Sequence, residues 1–279
     1  MKLLSNHLYI VSTPIGNLDD ITLRALEVLK KSDIILCEDT RRSIKLLSYY
    51  KIKKTLIPYH KFNEKKQLTK IIEHFNKGKI LSLISDAGTP LLSDPGRLLV
   101  DYCIKNQIEV IPIPGASAIT TALSVSGFKD KFLFYGFLPK TENELIKVLT
   151  ELSKNEYAQV FFIPSNKINF YLDHFKKFFL DRKIVIAREM TKIHETFIRE
   201  KVENLKKFKN SIKGELTVVI SESETKTKRF NEEKIVNKVK KYLKKFSLKD
   251  TVNLISETER INKKKIYNLC LKIKNEKNN

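Results

Sequence analysis

The sequence predicts an α/β protein of two sheet-and-helix domains, followed by a small helical module. Three observations carry that reading. Short β-rich apolar runs alternate with helix-periodic segments over the first 139 residues. The alternation breaks at Leu138-Pro139-Lys140-Thr141 and resumes over about 142–222. Beyond the polar stretch Ser221–Arg229, a linker by composition, apolar residues recur at helical spacing. The expected domains are therefore 1–139, 140–225 and 226–279.

Leu8–Ser12 reads as a buried strand, followed by a helix over 21–31 with Leu23, Leu26 and Leu29 at helical spacing. Asp33–Cys37 is the next strand, and a helix runs from about Arg41 to Tyr50. Strand 80–84, helix 97–106, strand 108–112 and helix 116–125 continue the alternation, which predicts a parallel, helix-flanked sheet. The apolar strand Phe132–Phe137 closes the first domain. Strands at Gln159–Ile163, Lys183–Ala187 and Glu215–Ile220 belong to the second. In the last module Ile235, Val239, Leu243 and Phe246 mark one amphipathic helix, and Ser247 with Asp250 opens another. Asn262 is expected to cap a third, carrying Ile266, Leu269, Cys270 and Ile273. Lys263, Lys264 and Lys265 then fall in a first helical turn, where the macrodipole disfavours cations. An external anion would relieve that conflict, and lysines splayed into water account for it equally well.

The composition is globular, with 42% hydrophobic and 30% charged residues among 279. Three distant cysteines, Cys37, Cys103 and Cys270, form neither a disulfide framework nor a zinc knuckle. The amino terminus lacks the apolar region of a signal peptide. The longest apolar run, Phe132–Leu138, is too short to span a bilayer. A cytoplasmic protein with no membrane partner is expected. The net charge is +21, but lysine supplies 44 of 53 basic residues, a skew that an AT-rich coding sequence produces by itself. The distribution says more. Residues 1–139 carry a net of +7, whereas residues 226–279 carry 17 basic and 6 acidic side chains, a net of +11. That enrichment suits a polyanionic partner, with a merely solvated basic tail as the alternative.

Ser85–Gly96, reading Ser-Asp-Ala-Gly-Thr-Pro-Leu-Leu-Ser-Asp-Pro-Gly, is the most informative segment. Its glycines and prolines make it a shaped loop at a strand's carboxyl end, where open α/β sheets bind ligands. It offers Asp86, Thr89, Ser93 and Asp94 but no Lys or Arg. A ligand with amines, hydroxyls or a cationic centre suits it better than a phosphate. Thr13–Asn17 and Ile111–Ala118 also leave strand ends, and the three loops together describe the rim of one cleft. At a further strand end, Glu38-Asp39-Thr40-Arg41-Arg42-Ser43 sets carboxylates beside paired arginines. That cluster suits orienting a hydroxyl nucleophile and holding phosphates, or equally a helix start capped by Asp39. His60 reads as structural, and the dense run Arg188–Glu195 closes a strand of the second domain.

The segments Thr13–Asn17, Cys37–Ser43, Ser85–Gly96, Pro112–Ala118, Gly136–Pro139, Ala187–Glu195 and Lys213-Gly214-Glu215 occur in the order found in a known family. On them, and on the lysine-rich tail, the chain resembles the tetrapyrrole-methylase superfamily. Within it, the chain is similar to the small-subunit ribosomal RNA cytidine 2′-O-methyltransferases. The resemblance implies a tetrapyrrole-methylase-like α/β fold, with S-adenosylmethionine in the cleft between two α/β domains and no metal. It implies methylation of a cytidine ribose 2′-hydroxyl in the decoding region. The partner implied is small-subunit rRNA or the assembled small ribosomal subunit, and the implied oligomer is a homodimer. By motif position Pro14, Asp86, Ala87, Gly88, Thr89, Ser117 and Ala118 would line the cofactor from the first domain. Ile163, Ala187 and Glu215 would approach it from the second. Asp39 or Glu189 is the expected acceptor for the hydroxyl proton. Arg41, Arg42, Lys192 and the Lys263–Lys265 cluster are expected to hold RNA.

One segment departs from the family pattern. Phe162-Ile163-Pro164-Ser165-Asn166-Lys167 lacks the acidic residue, His and Arg usual after the second domain's first strand. Two alternatives share the same motifs: a small-molecule tetrapyrrole-type methyltransferase, and a non-catalytic, basic RNA-binding or ribosome-assembly factor.

Overall fold

Strands that are apolar at successive positions need cover on both faces, and the first sheet is built that way. The computed structural model describes residues 6–210, 212–223, 232–259 and 263–275. They fall into two compact units, Met1–Glu224 and Thr225–Asn279. The first sheet contains β1 (His7–Val11), β2 (Ile34–Cys37), β3 (Thr55–Pro58), β4 (Leu81–Ile84) and β5 (Glu109–Ile113). They lie in the order β3-β2-β4-β1-β5 with every pairing parallel. Leu8, Ile34, Leu36, Leu81 and Leu83 cluster with Ile71 and Phe75 of α3 (Glu64–Asn76) and Leu99 and Cys103 of α4 (Arg97–Lys105). Tyr9, Val11, Ile35, Cys37 and Ile84 point the other way. They meet Ala25, Val28 and Leu29 of α1 (Leu23–Lys31) and Leu47 of α2 (Thr40–Tyr49).

The second sheet holds β6 (Phe132–Phe137), β7 (Ala158–Pro164), β8 (Lys183–Arg188), β9 (Thr196–Lys201) and β10 (Glu215–Ile220), in the order β6-β7-β10-β8-β9. Only β6 and β7 pair in parallel, the crossover between them carrying α6 (Glu142–Leu152). Period-two alternation divides the strands between two cores. Phe161, Ile163, Ile184, Ile186, Leu216, Val218 and Ile220 pack on α6 and α7 (Ile168–Phe178). Val160, Val185, Ala187 and Val219 occupy the opposite face. There they meet Ile15 and, from α5 (Ala118–Ser124), Ile119 and Ala122. This last cluster joins the two α/β halves.

Most expected elements are present within a few residues, with three differences. β6 belongs to the second sheet, so the expected division at 139 falls one strand late. The reason is the non-local pairing of β6 with β7, which the apolar run itself does not encode. β3 with α3, and the edge strand β9, were not anticipated. Three of the six β9 residues are charged and the strand buries none of them, so no alternation announces it.

The helical unit comprises α8 (Glu232–Tyr242), α9 (Leu248–Glu259) and α10 (Lys263–Asn275) around Ile235, Val239, Val252, Ile255, Ile266, Cys270 and Ile273. Ser247 Oγ accepts from the Asp250 amide at 3.2 Å, as the capping pattern predicts. Asn262 and most of the expected linker lie outside the described residues. Among the described residues no helix is long and apolar enough to cross a membrane.

A buried arginine fastens the second sheet to its helices. Arg182 is 3% exposed and donates to the carbonyls of Ser221 (3.2 Å), Ser153 (2.9 Å) and Asn155 (2.6 Å). Its guanidinium lies 5.1 Å over the Phe179 ring. Arg182→Met leaves three carbonyls without this donor, so chemical denaturation should show a loss of about 2–4 kcal/mol.

Candidate active site

The loops leaving β1, β4 and β5 are fastened to one another. The Thr13 amide donates to the Gly88 carbonyl at 2.9 Å, and the Gly88 amide to the Thr13 carbonyl at 3.0 Å. Ser12 Oγ lies 3.0 Å from Thr89 Oγ1, which donates to the Ala116 carbonyl at 3.2 Å. The expected cleft rim is therefore one hydrogen-bonded surface. Above it opens a cavity of about 500 Å³, within the range usual for small-molecule sites, ~300–1,000 Å³. Phe162, Ile163 and Pro164 of β7, Met190, and Gly214–Thr217 at the start of β10 form its opposite wall. An adjoining depression of about 350 Å³ is lined by Pro14, Gly16, Arg42, Lys45 and Tyr49 among others.

The first half's side of the cavity is acidic, with Glu38, Asp86 and Asp94 beside Arg42. Asp86 Oδ1 accepts from the Asp39 amide at 3.1 Å, and its Oδ2 lies 3.3 Å from the Arg42 guanidinium. Burial, and then the Asp86 charge, raise the Glu38 carboxyl above its ordinary range. Burial and the neighbouring Glu38 charge push Asp94 up to about 6. Among the described residues, no group of three or more His, Cys, Asp or Glu side chains could hold a metal ion.

Asp86, Ala87, Gly88, Thr89, Ser117, Ala118, Ile163 and Glu215 line the cavity, and Pro14 lines the adjoining depression. Ala187 does not line it. Its side chain is fully buried in the cluster joining the halves, because β8 turns alternate residues toward that core.

The two expected proton acceptors are structural anchors. Asp39 caps α2 by accepting from the Arg41 amide at 2.9 Å. It also holds the Arg41 guanidinium through bonds of 3.1 and 2.8 Å. The side-chain bond to Arg41 lowers Asp39 to about 2, which makes it a weak base. Glu189 accepts from the Glu215 amide and from Lys192 Nζ, each at 2.9 Å. Those bonds, the Glu215 amide first, hold its carboxyl below the ordinary range. Neither carboxylate is among the residues lining the cavity.

Arg42 lines both the cavity and the depression, whereas Arg41 is committed to Asp39. Lys192 bridges Glu189 at 2.9 Å and Glu215 at 3.1 Å. Lys263, Lys264 and Lys265 are exposed on the first turn of α10, in the separate helical unit. Of the other lining residues, sequence reasoning named Asp94 only as a polar group of the Ser85–Gly96 loop and Glu38 only as part of the carboxylate–arginine cluster. Phe137 and Met190 were not singled out, although they stand inside the segments Gly136–Pro139 and Ala187–Glu195.

The turn after β8 closes on the first half. The Asn17 amide donates to Thr191 Oγ1 at 2.9 Å. A Cβ placed on Gly16 would lie 2.5 Å from Lys192 Cγ and 2.9 Å from the Met190 carbonyl oxygen.

The family model of the Tetrapyrrole (Corrin/Porphyrin) Methylases matches residues 7–206, and the chain belongs to that family. It is 46% identical over 220 residues to the "Ribosomal RNA small subunit methyltransferase I" of Thermotoga maritima, covering 78% of this chain and 99% of that protein. The protein of the same name from Buchnera aphidicola is 41% identical over 272 residues, covering 95% of this chain and 96% of the relative. Within the methylases, the chain is a member of the branch that these relatives define. Two crystal structures share the fold. The methyltransferase CobJ superposes with a TM-score of 0.61 at 17% identity, covering 79% of this chain and 96% of CobJ. Thermus thermophilus uroporphyrin-III C-methyl transferase, complexed with S-adenyl homocysteine, gives 0.56 at 13% identity, covering 77% and 97%.

Gly16→Ala should force the Met190 backbone away and loosen the contact between the halves. Urea denaturation is expected to show a loss of about 1–3 kcal/mol, and ligand affinity at the cavity should fall with it.

Proposed function

We propose that this protein transfers a methyl group from S-adenosylmethionine to a cytidine ribose 2′-hydroxyl in the decoding region of small-subunit ribosomal RNA. One observation carries the reading: an acidic and apolar cavity closes between the two α/β halves of a chain whose relatives are named rRNA small subunit methyltransferases. The lining suits the cofactor's chemistry. Asp86, Glu38 and Glu215 offer carboxylates to an amino group and a sulfonium. Ile119, Phe162, Ile163 and Met190 offer apolar surface to a purine, and Gly88 and Ala118 leave room for close approach. Bound there, S-adenosylmethionine supplies an electrophilic methyl on a good leaving group. The protein's task is then mainly to hold a hydroxyl in line with that methyl and to exclude water. The apolar wall at Phe162–Pro164, where the usual acidic residue, His and Arg are absent, serves the second purpose. The RNA partner in this reading is small-subunit rRNA, free or in the assembled small ribosomal subunit, and a second copy of the chain completes a homodimer.

In this reading the basic helical unit supplies phosphate contacts through Lys263, Lys264 and Lys265, and Arg42 supplies one at the cavity mouth. Lys192, held by two carboxylates, serves the cleft instead of the RNA.

Incubation with S-adenosylmethionine and unmodified small subunits, followed by nucleoside mass spectrometry, should yield 2′-O-methylcytidine. A product methylated on the base, or transfer to precorrin-type tetrapyrroles instead, would defeat the proposal. Replacing the three lysines with glutamine should reduce the slope of log affinity against log salt by about 2, because each phosphate contact contributes about 0.7–0.9. Lys192→Met should leave that slope unchanged.

A further inference from the structure

The part of the cavity lined by Ser93, Asp94 and Phe137 is held on two strained backbones. Leu91 (φ 72°), Ser93 (φ 75°) and Gly96 (φ 132°) all adopt positive φ within six residues. Such conformations persist only where the surroundings over-determine them. The Gly96 amide donates to Glu64 Oε1 at 2.7 Å, and a Cβ there would come 2.7 Å from Leu83 Cδ2. This segment carries Asp94 into the cavity lining. Beside it, β6 shifts register against β7 between Phe134 and Gly136, with Gly136 at φ 83°. Bulges of this kind re-aim side chains beside active sites. A Cβ on Gly136 would come 2.9 Å from Ser93 Oγ, so the two segments touch. The residue after the bulge, Phe137, also lines the cavity. It is 59% exposed, with its ring 5.4 Å from that of Phe162. An aromatic face and a carboxylate therefore stand together on fixed mounts in the cavity lining.

We propose that the Asp94–Phe137 part of the cavity is the acceptor-nucleoside subsite, where the base lies on the Phe137 ring and the Asp94 carboxylate takes the 2′-hydroxyl proton. The inference rests on the function proposed above. The hydroxyl oxygen bonds to the methyl carbon as the carbon–sulfur bond breaks. That bond's electron pair stays on sulfur, leaving a neutral thioether, and the hydroxyl proton moves to Asp94. Aromatic stacking is tolerant of sequence and suits a base drawn out of an RNA helix. Asp94 is also better suited to accepting a proton than Asp39 or Glu189. Burial and the Glu38 charge raise it to about 6, close to working pH, while Asp86 adds to the same effect and Ser85 opposes it by hydrogen bonding. Arg42 and Glu215 are the other charged groups lining the cavity. Below about pH 6 the carboxyl is protonated and cannot accept, so turnover should rise through that range and then level.

The test uses the full chain, small ribosomal subunits and S-adenosylmethionine, with thermal melting as a folding control. Asp94→Asn should lower kcat about 100-fold and abolish the acidic limb of its pH profile. Calorimetric affinity for S-adenosylmethionine should stay within about twofold, and Asp94→Glu should restore part of kcat. Phe137→Leu should weaken subunit binding, measured without cofactor, by about tenfold. If the wild type methylates subunits but Asp94→Asn keeps kcat within about threefold, or loses cofactor affinity in proportion to kcat, the subsite is wrong while the function stands. Unchanged subunit affinity in Phe137→Leu would overturn it equally. A wild type that binds the cofactor but methylates no subunit overturns both proposals.

Discussion

The site depends on one hydrophobic contact. Val160, Val185, Ala187 and Val219 form a face of the second sheet that must be covered, and Ile15, Ile119 and Ala122 of the first half cover it. Strand-end loops alone would make an open rim. This contact turns the rim into a cavity by bringing β7, the start of β10 and the turn after β8 over it. The Asn17–Thr191 hydrogen bond and the close fit at Gly16 then set the spacing. Small residues sit where the halves approach because a side chain there would pry them apart.

Charge is distributed within this frame by a simple division of labour. Carboxylates that face hydrogen-bond donors, such as Asp39 and Glu189, spend their charge holding the loops and become poor bases. Carboxylates turned toward the cavity, Glu38 and Asp94, are raised by burial and then by a neighbouring charge, Asp86 acting on Glu38 and Glu38 on Asp94. Chemistry falls to the second group because architecture has already claimed the first. Both arginines pair with a carboxylate, Arg41 with Asp39 and Arg42 with Asp86, but of the two it is Arg42 that lines the cavity.

Much of this was legible in the residues. The runs Leu8–Ser12, Asp33–Cys37 and Gln159–Ile163 announce strands covered on both faces, and Ser85–Gly96 announces a shaped loop at a strand's end. Even the capping role of Asp39 was among the readings its position allowed, and the structure selects it. What escaped was non-local. The sheet that receives Phe132–Phe137 depends on a partner 26 residues downstream in register, as in Phe132 with Ala158. Ala187 sits in a motif that surrounds the cleft, yet the pleat of β8 turns its methyl into the core. Asp94 was visible as a loop carboxylate, but its burial, and so its basicity, comes from neighbours brought together only by folding.

The central claim is that the space between the two α/β halves is the methyl-donor site. A crystal structure of the protein with S-adenosylhomocysteine tests it most directly. The account predicts the ligand inside the cavity of about 500 Å³, between the Ser85–Gly96 loop and the Phe162–Pro164 wall. A ligand seated instead only in the depression bounded by Pro14, Lys45 and Tyr49, or anywhere outside the contact between the halves, would contradict it.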